Sequence, residues 1–211
     1  MFPLGSVLFP HMPLQLRVFE QRYLEMLAEI LPHETSEFGV VLIERGQEVG
    51  GAQQSNFTTG TVARILQLEA AEGFIALIAE GGRRIEVEHW LGDSAYPSAT
   101  VRELPELEWD DSVQPLLERA EQTVRRSLAV ASEFNDQSWS ATVELSDTPI
   151  EVAWQLAAIA PLSELDQVEL LRSTSVDRLL SATIELTLVA TEQFGTTAIG
   201  NDELDGFDFD E

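Results

Sequence analysis

The spacing of apolar residues changes character near Trp109, and that change limits the fold more than any other feature of this chain. Before it, apolar residues alternate or run together in short β-branched and aromatic stretches punctuated by glycine. Leu14, Leu16 and Val18 alternate with Gln15 and Arg17, as in a half-buried strand. Phe38 to Ile43 is a near-continuous apolar run, as expected of a strand covered on both faces. Thr61 to Leu68, Phe74 to Ala79 and Arg83 to Trp90 read as three further strands, and another is expected near Ala99 to Leu104. Ala71-Glu72-Gly73 and Gly81-Gly82 read as hairpin turns, because glycine reaches the positive φ such turns need. A single helix interrupts this half: Tyr23, Met26, Leu27 and Ile30 share one face, and Pro32 stops it.

After Trp109 the period is helical. Val113, Leu116, Leu117, Ala120, Val124, Leu128 and Ala131 form one stripe along a helix predicted from Ser112 to Phe134. Thr148-Pro149-Ile150-Glu151 predicts a capped helix start, with Thr148 as N-cap, Pro149 at the first position and Glu151 closing a capping box. The helix it opens is apolar almost all round, which predicts the buried centre of a bundle. Ser163 and Ser175 are expected to cap two more helices. The fold class expected is α+β: a β-rich subdomain over residues 1–110, with bent sheets and one helix, then a small helical bundle over 111–195. Residues 196–211, where carboxylates crowd, are expected to be a solvated, disordered tail.

Composition removes whole classes of chemistry. All 12 basic residues are arginine, and they face 37 carboxylates for a net charge of -25. With no lysine there is no Ser-Lys dyad, no Schiff base and no Walker-type phosphate-binding lysine. With no cysteine there are no disulfides, thiol nucleophiles or thiolate-held metals. The charge argues against nucleic acid and against an anionic membrane surface, both of which need basic residues. It is expected to serve solubility first, with a nucleic-acid mimic or a partner with a basic face as the alternatives. The longest purely apolar stretch, Phe74 to Ala79, is far below the ~20 residues that span a bilayer. The opening has no basic n-region, so a cytoplasmic location is expected.

The search for catalytic residues finds little. His11, His33 and His89 stand in no HExxH or HxxxH pair, so no metal site is expected. Glu86 and Glu88 share a strand face, where a carboxylate pair is ordinarily just solvated. There is neither a GxSxG elbow nor a GxGxxG loop, and no cofactor is implied. Asn201, Glu203, Asp205 and Gly206 mimic the start of an EF-hand loop, but its bidentate twelfth position falls past Glu211.

The informative motif is the opening. Phe2-Pro3-Leu4-Gly5-Ser6-Val7-Leu8-Phe9-Pro10-His11-Met12-Pro13-Leu14 is followed by Val18-Phe19-Glu20 and Arg22-Tyr23. In order come Gly60-Thr61-Val62-Ala63-Arg64-Ile65, Glu80-Gly81-Gly82-Arg83-Arg84, Ala160-Pro161-Leu162 and Gln167-Val168-Glu169-Leu170-Leu171. Taken together, they resemble the substrate-binding N-terminal domain of the Lon protease family in its free-standing form, over roughly residues 1–195. That resemblance implies a small bent β-domain joined to a helical bundle, and a role in holding polypeptides. In the full-length protease this domain precedes an ATPase and a Ser-Lys protease module; the expectation here is that the chain carries neither and is not an enzyme. It would bind unfolded or partner polypeptides, alternatively as an adaptor delivering clients to a separate protease or ATPase. A hydrolase with an unrecognised histidine–carboxylate site is the remaining alternative. The candidate contact residues are Phe9, Pro10, His11 and Met12 in the opening loop, and Val49 in the polar loop Gly46 to Asn56. For Phe9 and Met12 a second reading stays open, in which both are core residues that fix the start of the strand.

Overall fold

A computed structural model of the chain describes residues 1–45, 55–92, 94–133 and 138–202. Strands β1 (Phe2–Leu4), β2 (Pro13–Val18), β3 (Glu37–Arg45), β4 (Ser55–Ala71), β5 (Phe74–Leu91) and β6 (Ser98–Glu103) form a single sheet. Helix α1 (Gln21–Ile30) lies between β2 and β3, and α2 (Gln114–Ala131), α3 (Pro149–Ile159), α4 (Glu164–Leu171) and α5 (Val176–Asp202) follow the sheet in sequence. The mixed α+β class is as the periodicity predicted.

The sheet order is β1-β3-β4-β5-β2, with β6 also on β5. All pairings are antiparallel except β1 with β3, where Phe2 faces Val40. The long strand β5 serves two neighbours in turn. Its first part, Ile75 to Glu80, pairs with β2, and its second, Ile85 to Leu91, pairs with β6. This corrects one expectation: Gly81-Gly82 is not a hairpin turn but the middle of β5, at a register shift against Thr61–Ala63 of β4. A bulge there bends the strand without ending it. The turn at Ala71-Glu72-Gly73 does form, with Gly73 at φ 84° and Ala71 paired to Phe74.

The core runs through both halves without a break. Phe2, Phe9, Tyr23, Leu27, Val40 and Leu77 from the β-rich half join Leu128, Trp154, Leu156, Leu170 and Leu180 from the helices in one buried cluster. The predicted stripe of α2 is buried at Leu117, Ala120, Val124, Leu128 and Ala131, and α3 is buried nearly all round. At the start of α3 the capping box is not made, since Thr148 gives no side-chain cap. The Ser146 hydroxyl donates to Glu151 Oε2 at 2.7 Å, and Gln155 Oε1 accepts the Ser146 N–H at 2.8 Å. A serine outside the box thus takes the carboxylate meant to close it. Ser163 caps α4 as expected. Helix α5 continues to Asp202 past the boundary expected at residue 195, and residues 203–211 lie outside the described residues. Among the described residues, no helix is long and apolar enough to cross a membrane.

Candidate functional site

The main chain of the opening loop is held by hydrogen bonds to distant strands. Thr61 Oγ1 donates to the Leu8 carbonyl at 2.6 Å, His11 N–H donates to Gly81 O at 2.8 Å, and Gly81 N–H donates to Met12 O at 2.9 Å. The loop approaches so closely that a Cβ on Gly81 would stand 2.0 Å from the Phe9 carbonyl oxygen. The loop itself turns at Pro10-His11, with Met12 N–H donating to Phe9 O at 3.4 Å. His11 occupies φ 61°, the position in such a turn where glycine or asparagine is usual.

Between this loop and the helices lies a groove of about 340 Å³. Val7, Leu8, Phe9 and Met12 form one wall, Pro13 and Leu14 continue it, and Trp139, Ile159 and Leu162 close the other side. The polar members are Ser6, Ser138, Glu164 and Gln167 at the rim. Phe9, Pro10 and Met12 are buried, and the Phe9 ring lies 6.2 Å from that of Trp154. Phe9 and Met12 are therefore core residues, as the second reading had it, and both also line the groove. Of the four loop candidates, His11 alone is partly exposed, and its Nδ1 stands 3.9 Å from Glu151 Oε1. Val49 and most of its loop lie outside the described residues; Ser55 and Asn56, placed in that loop by the sequence reading, begin β4 instead.

The sequence reading missed Trp139 and Leu162. Trp139 stands between two serines in a polar connector, and a lone aromatic in such a setting was the available signal. The connector is fixed by Arg125, whose Nη1 donates to Ala141 O at 2.7 Å and Val143 O at 3.2 Å.

On the other side of the loop a charged depression of about 390 Å³ holds His11, Arg64 and Arg83 opposite Glu37, Glu80 and Glu151. Its arginines are already matched: Arg64 to Glu80 at 3.3 Å, and Arg83 to Glu37 at 2.9 Å and Glu103 at 2.6 Å. The Glu37 hydrogen bond first, and then Glu103, hold the Arg83 guanidinium above its ordinary pKa. Arg84 is different. It is buried, and donates to the carbonyls of Leu171 (2.8 Å), Ser173 (2.7 Å) and Pro105 (2.6 Å). Its guanidinium lies 4.9 Å from the Trp154 ring centre, and burial pulls its pKa below the ordinary value. It is a clamp between the halves, since β5 carries the side chain and two of its acceptors, Leu171 at the end of α4 and Ser173 just after it, belong to the helical half.

The other histidines and the Glu86–Glu88 pair are not drawn into the charged depression. His33 and His89 are exposed on separate elements, and Arg102 pairs with Glu86 at 2.5 Å and approaches Glu88 at 4.0 Å, so that carboxylate pair is a salt-bridged surface. No group of three histidines or carboxylates is placed to hold a metal among the described residues. Most of the EF-hand-like segment lies outside them.

Comparison with known proteins follows the same line. The family model for the ATP-dependent protease La (LON) substrate-binding domain matches residues 1–188. Among solved structures, the chain is similar to a Lon N-terminal domain protein from Xanthomonas campestris, at 25% identity and TM-score 0.59 over 85% of this chain and 92% of that one. It is also similar to the N-terminal domain of the Mycobacterium avium complex Lon protease, at 19% identity and TM-score 0.59 over 88% of this chain and 96% of that one, a likeness of fold alone. No curated protein matches the chain.

Proposed function

The chain belongs to the Lon substrate-binding domain family, a non-catalytic family, and from that premise we propose that it holds unfolded or partner polypeptides in the groove beside its opening loop. The observation that carries this reading is the groove itself, a cleft of about 340 Å³ with a wall of apolar side chains and a rim of four polar ones. Phe9 and Met12 floor it and Trp139 and Leu162 are its accessible apolar contacts. Pro10 and His11 act by shaping the turn that holds the wall in place. A cleft of this kind suits polypeptide: apolar side chains of a client enter it while the rim meets its main chain.

The test is a titration of the protein against a fluorescently labelled, permanently unfolded polypeptide, with the same samples run on gels. Saturable binding without cleavage is the expected result. Trp139→Ala should weaken it about tenfold, and because the ring also packs against the core the variant melts somewhat lower, so its binding is measured well below that melt. Cleavage would point to a hydrolase, and absence of binding up to high micromolar would refute the groove as a general polypeptide site.

A further inference from the structure

We propose that the polypeptide in the groove docks as an added β-strand on the free edge of β2, and that it is an extended segment, apolar at every second residue and net positive. The inference rests on the groove reading above and names the class of segment that reading would select.

Strand β2 ends the sheet order and pairs with β5 on one side only. Its hydrogen-bond phase is set by the bond from Gly81 N–H to Met12 O. Alternation along an antiparallel pair then turns the main chain of Leu14, Leu16 and Val18 toward β5, and that of Pro13, Gln15 and Arg17 outward. Proline fits this phase, because Pro13 has no N–H to leave unpaired on an edge. Among the described residues, no backbone or side-chain partner takes the outward groups of Gln15 and Arg17. What satisfies a row of alternating donors and acceptors is another extended chain.

The edge also runs into the groove, since Pro13 and Leu14 belong to both. Leu14 and Leu16 are half-buried on the core side of β2. A strand added at the usual ~4.8 Å spacing would lay every second side chain against them, with those at the groove end reaching Trp139. Charge selects further. The C-terminal turn of α3, Ala158 to Ala160, lines the groove together with Glu164, and a helix C-terminus favours positive charge. Glu164 and Asp166 offset the opposite end dipole of α4. The whole chain carries -25, which draws cationic segments and repels acidic ones.

The test uses the full chain and a labelled peptide of alternating leucine and lysine, measured by fluorescence anisotropy. Two further peptides carry backbone N-methyl groups, one on the odd residues and one on the even. Strand addition predicts that one frame loses about tenfold or more in affinity while the other binds like the parent. Bound parent peptide should also slow amide hydrogen exchange at Gln15 and Arg17. Replacing lysine by glutamate should abolish binding at low salt. Equal binding of both methylated frames overturns strand addition, and an undiminished glutamate peptide overturns the charge preference. If the unfolded polypeptide of the preceding titration binds but the parent peptide does not, this proposal fails alone; if neither binds, the groove reading fails with it.

Discussion

Replacing Arg84 by methionine tests whether the two halves are held by a buried cation rather than by apolar packing alone. Methionine keeps most of the side-chain volume, so the change isolates the loss of charge and donors. Three carbonyls, those of Leu171, Ser173 and Pro105, lose their guanidinium donors at 2.8, 2.7 and 2.6 Å. A hydrogen bond to a charged group contributes ~1.5–3 kcal/mol, so the three together set a gross loss of roughly 4.5–9 kcal/mol. Against that stands the relief of burying a guanidinium that meets carbonyls instead of a carboxylate, a cost that also pulls its pKa down. The net expectation is a destabilisation of about 3 kcal/mol, out of a typical total of ~5–15. For a chain of this length that lowers the melting temperature by roughly 6–12 °C. Urea unfolding followed by far-ultraviolet circular dichroism and by tryptophan fluorescence measures it, because Trp154 sits under the guanidinium. Arg84→Lys should fall between the two, as an ammonium cannot reach three acceptors in one plane. If Arg84→Met stays within about 1 kcal/mol of the parent, the carbonyls have other partners and the clamp does not hold the halves together.

Gly81→Ala should destabilise by at least about 3 kcal/mol, because its Cβ would collide with the Phe9 carbonyl oxygen at 2.0 Å. Gly82→Ala, whose Cβ meets only the Val62 carbonyl at 3.5 Å, should be neutral or slightly stabilising, and comparing their urea midpoints checks both. His11→Gly should be neutral to stabilising by up to about 1 kcal/mol in a thermal melt, since glycine accepts φ 61° without the strain a side chain incurs there; clear destabilisation would refute that account. With a free Met1 amine, burial lowers its pKa from 8.0 to about 6, while its N–H groups donate to Pro97 O at 2.7 Å. Between those values the unfolded chain binds more protons, so stability rises with pH through that window and is lost as pH falls toward 6. The span is about 2–3 kcal/mol at ~1.4 kcal/mol per pKa unit, and acetylating the amine should remove this difference between urea midpoints at pH about 5.5 and 8.5.

What the sequence made legible was local. The α2 stripe from Leu117 to Ala131, the α1 face of Tyr23, Met26 and Leu27, and the turn at Gly73 each depend on residues within a few positions of one another. The Glu20–Arg22 ion pair, between residues two apart, is equally local at 3.1 Å. The failures come from partners far away in the chain. Gly81-Gly82 has the composition of a turn, yet the requirement on Gly81 comes from the Phe9 carbonyl pressing on the strand. Strand β1 is three residues with a proline in the middle, and only parallel pairing to Val40–Leu42 makes it a strand. The groove was half visible. Phe9 and Met12 drew notice as apolar residues in a proline-broken loop, whereas Trp139 and Leu162 reach the same cleft from segments more than a hundred residues later.

The opening motif and Ala160 to Leu162 line the groove itself, whereas other motif residues work one layer behind it. Thr61 fixes the Leu8 carbonyl, Gly60 lets Val40 O approach where a Cβ would stand 2.1 Å away, Gly81 admits the Phe9 turn, and Arg84 ties the sheet to the end of α4. Together they hold the loop wall and the helical wall in one fixed relation, so the cleft is preformed. A preformed cleft avoids the ordering cost that a mobile loop would add to binding. On the proposed reading, discrimination among segments comes from side chains outside these motifs, Trp139 and Glu164 at the groove and Gln15 and Arg17 along the edge of β2. Two members of the family could share every motif and still prefer different segments. Exchanging only those four positions should change which segment binds while circular dichroism shows the fold retained, and an unchanged preference would refute this assignment.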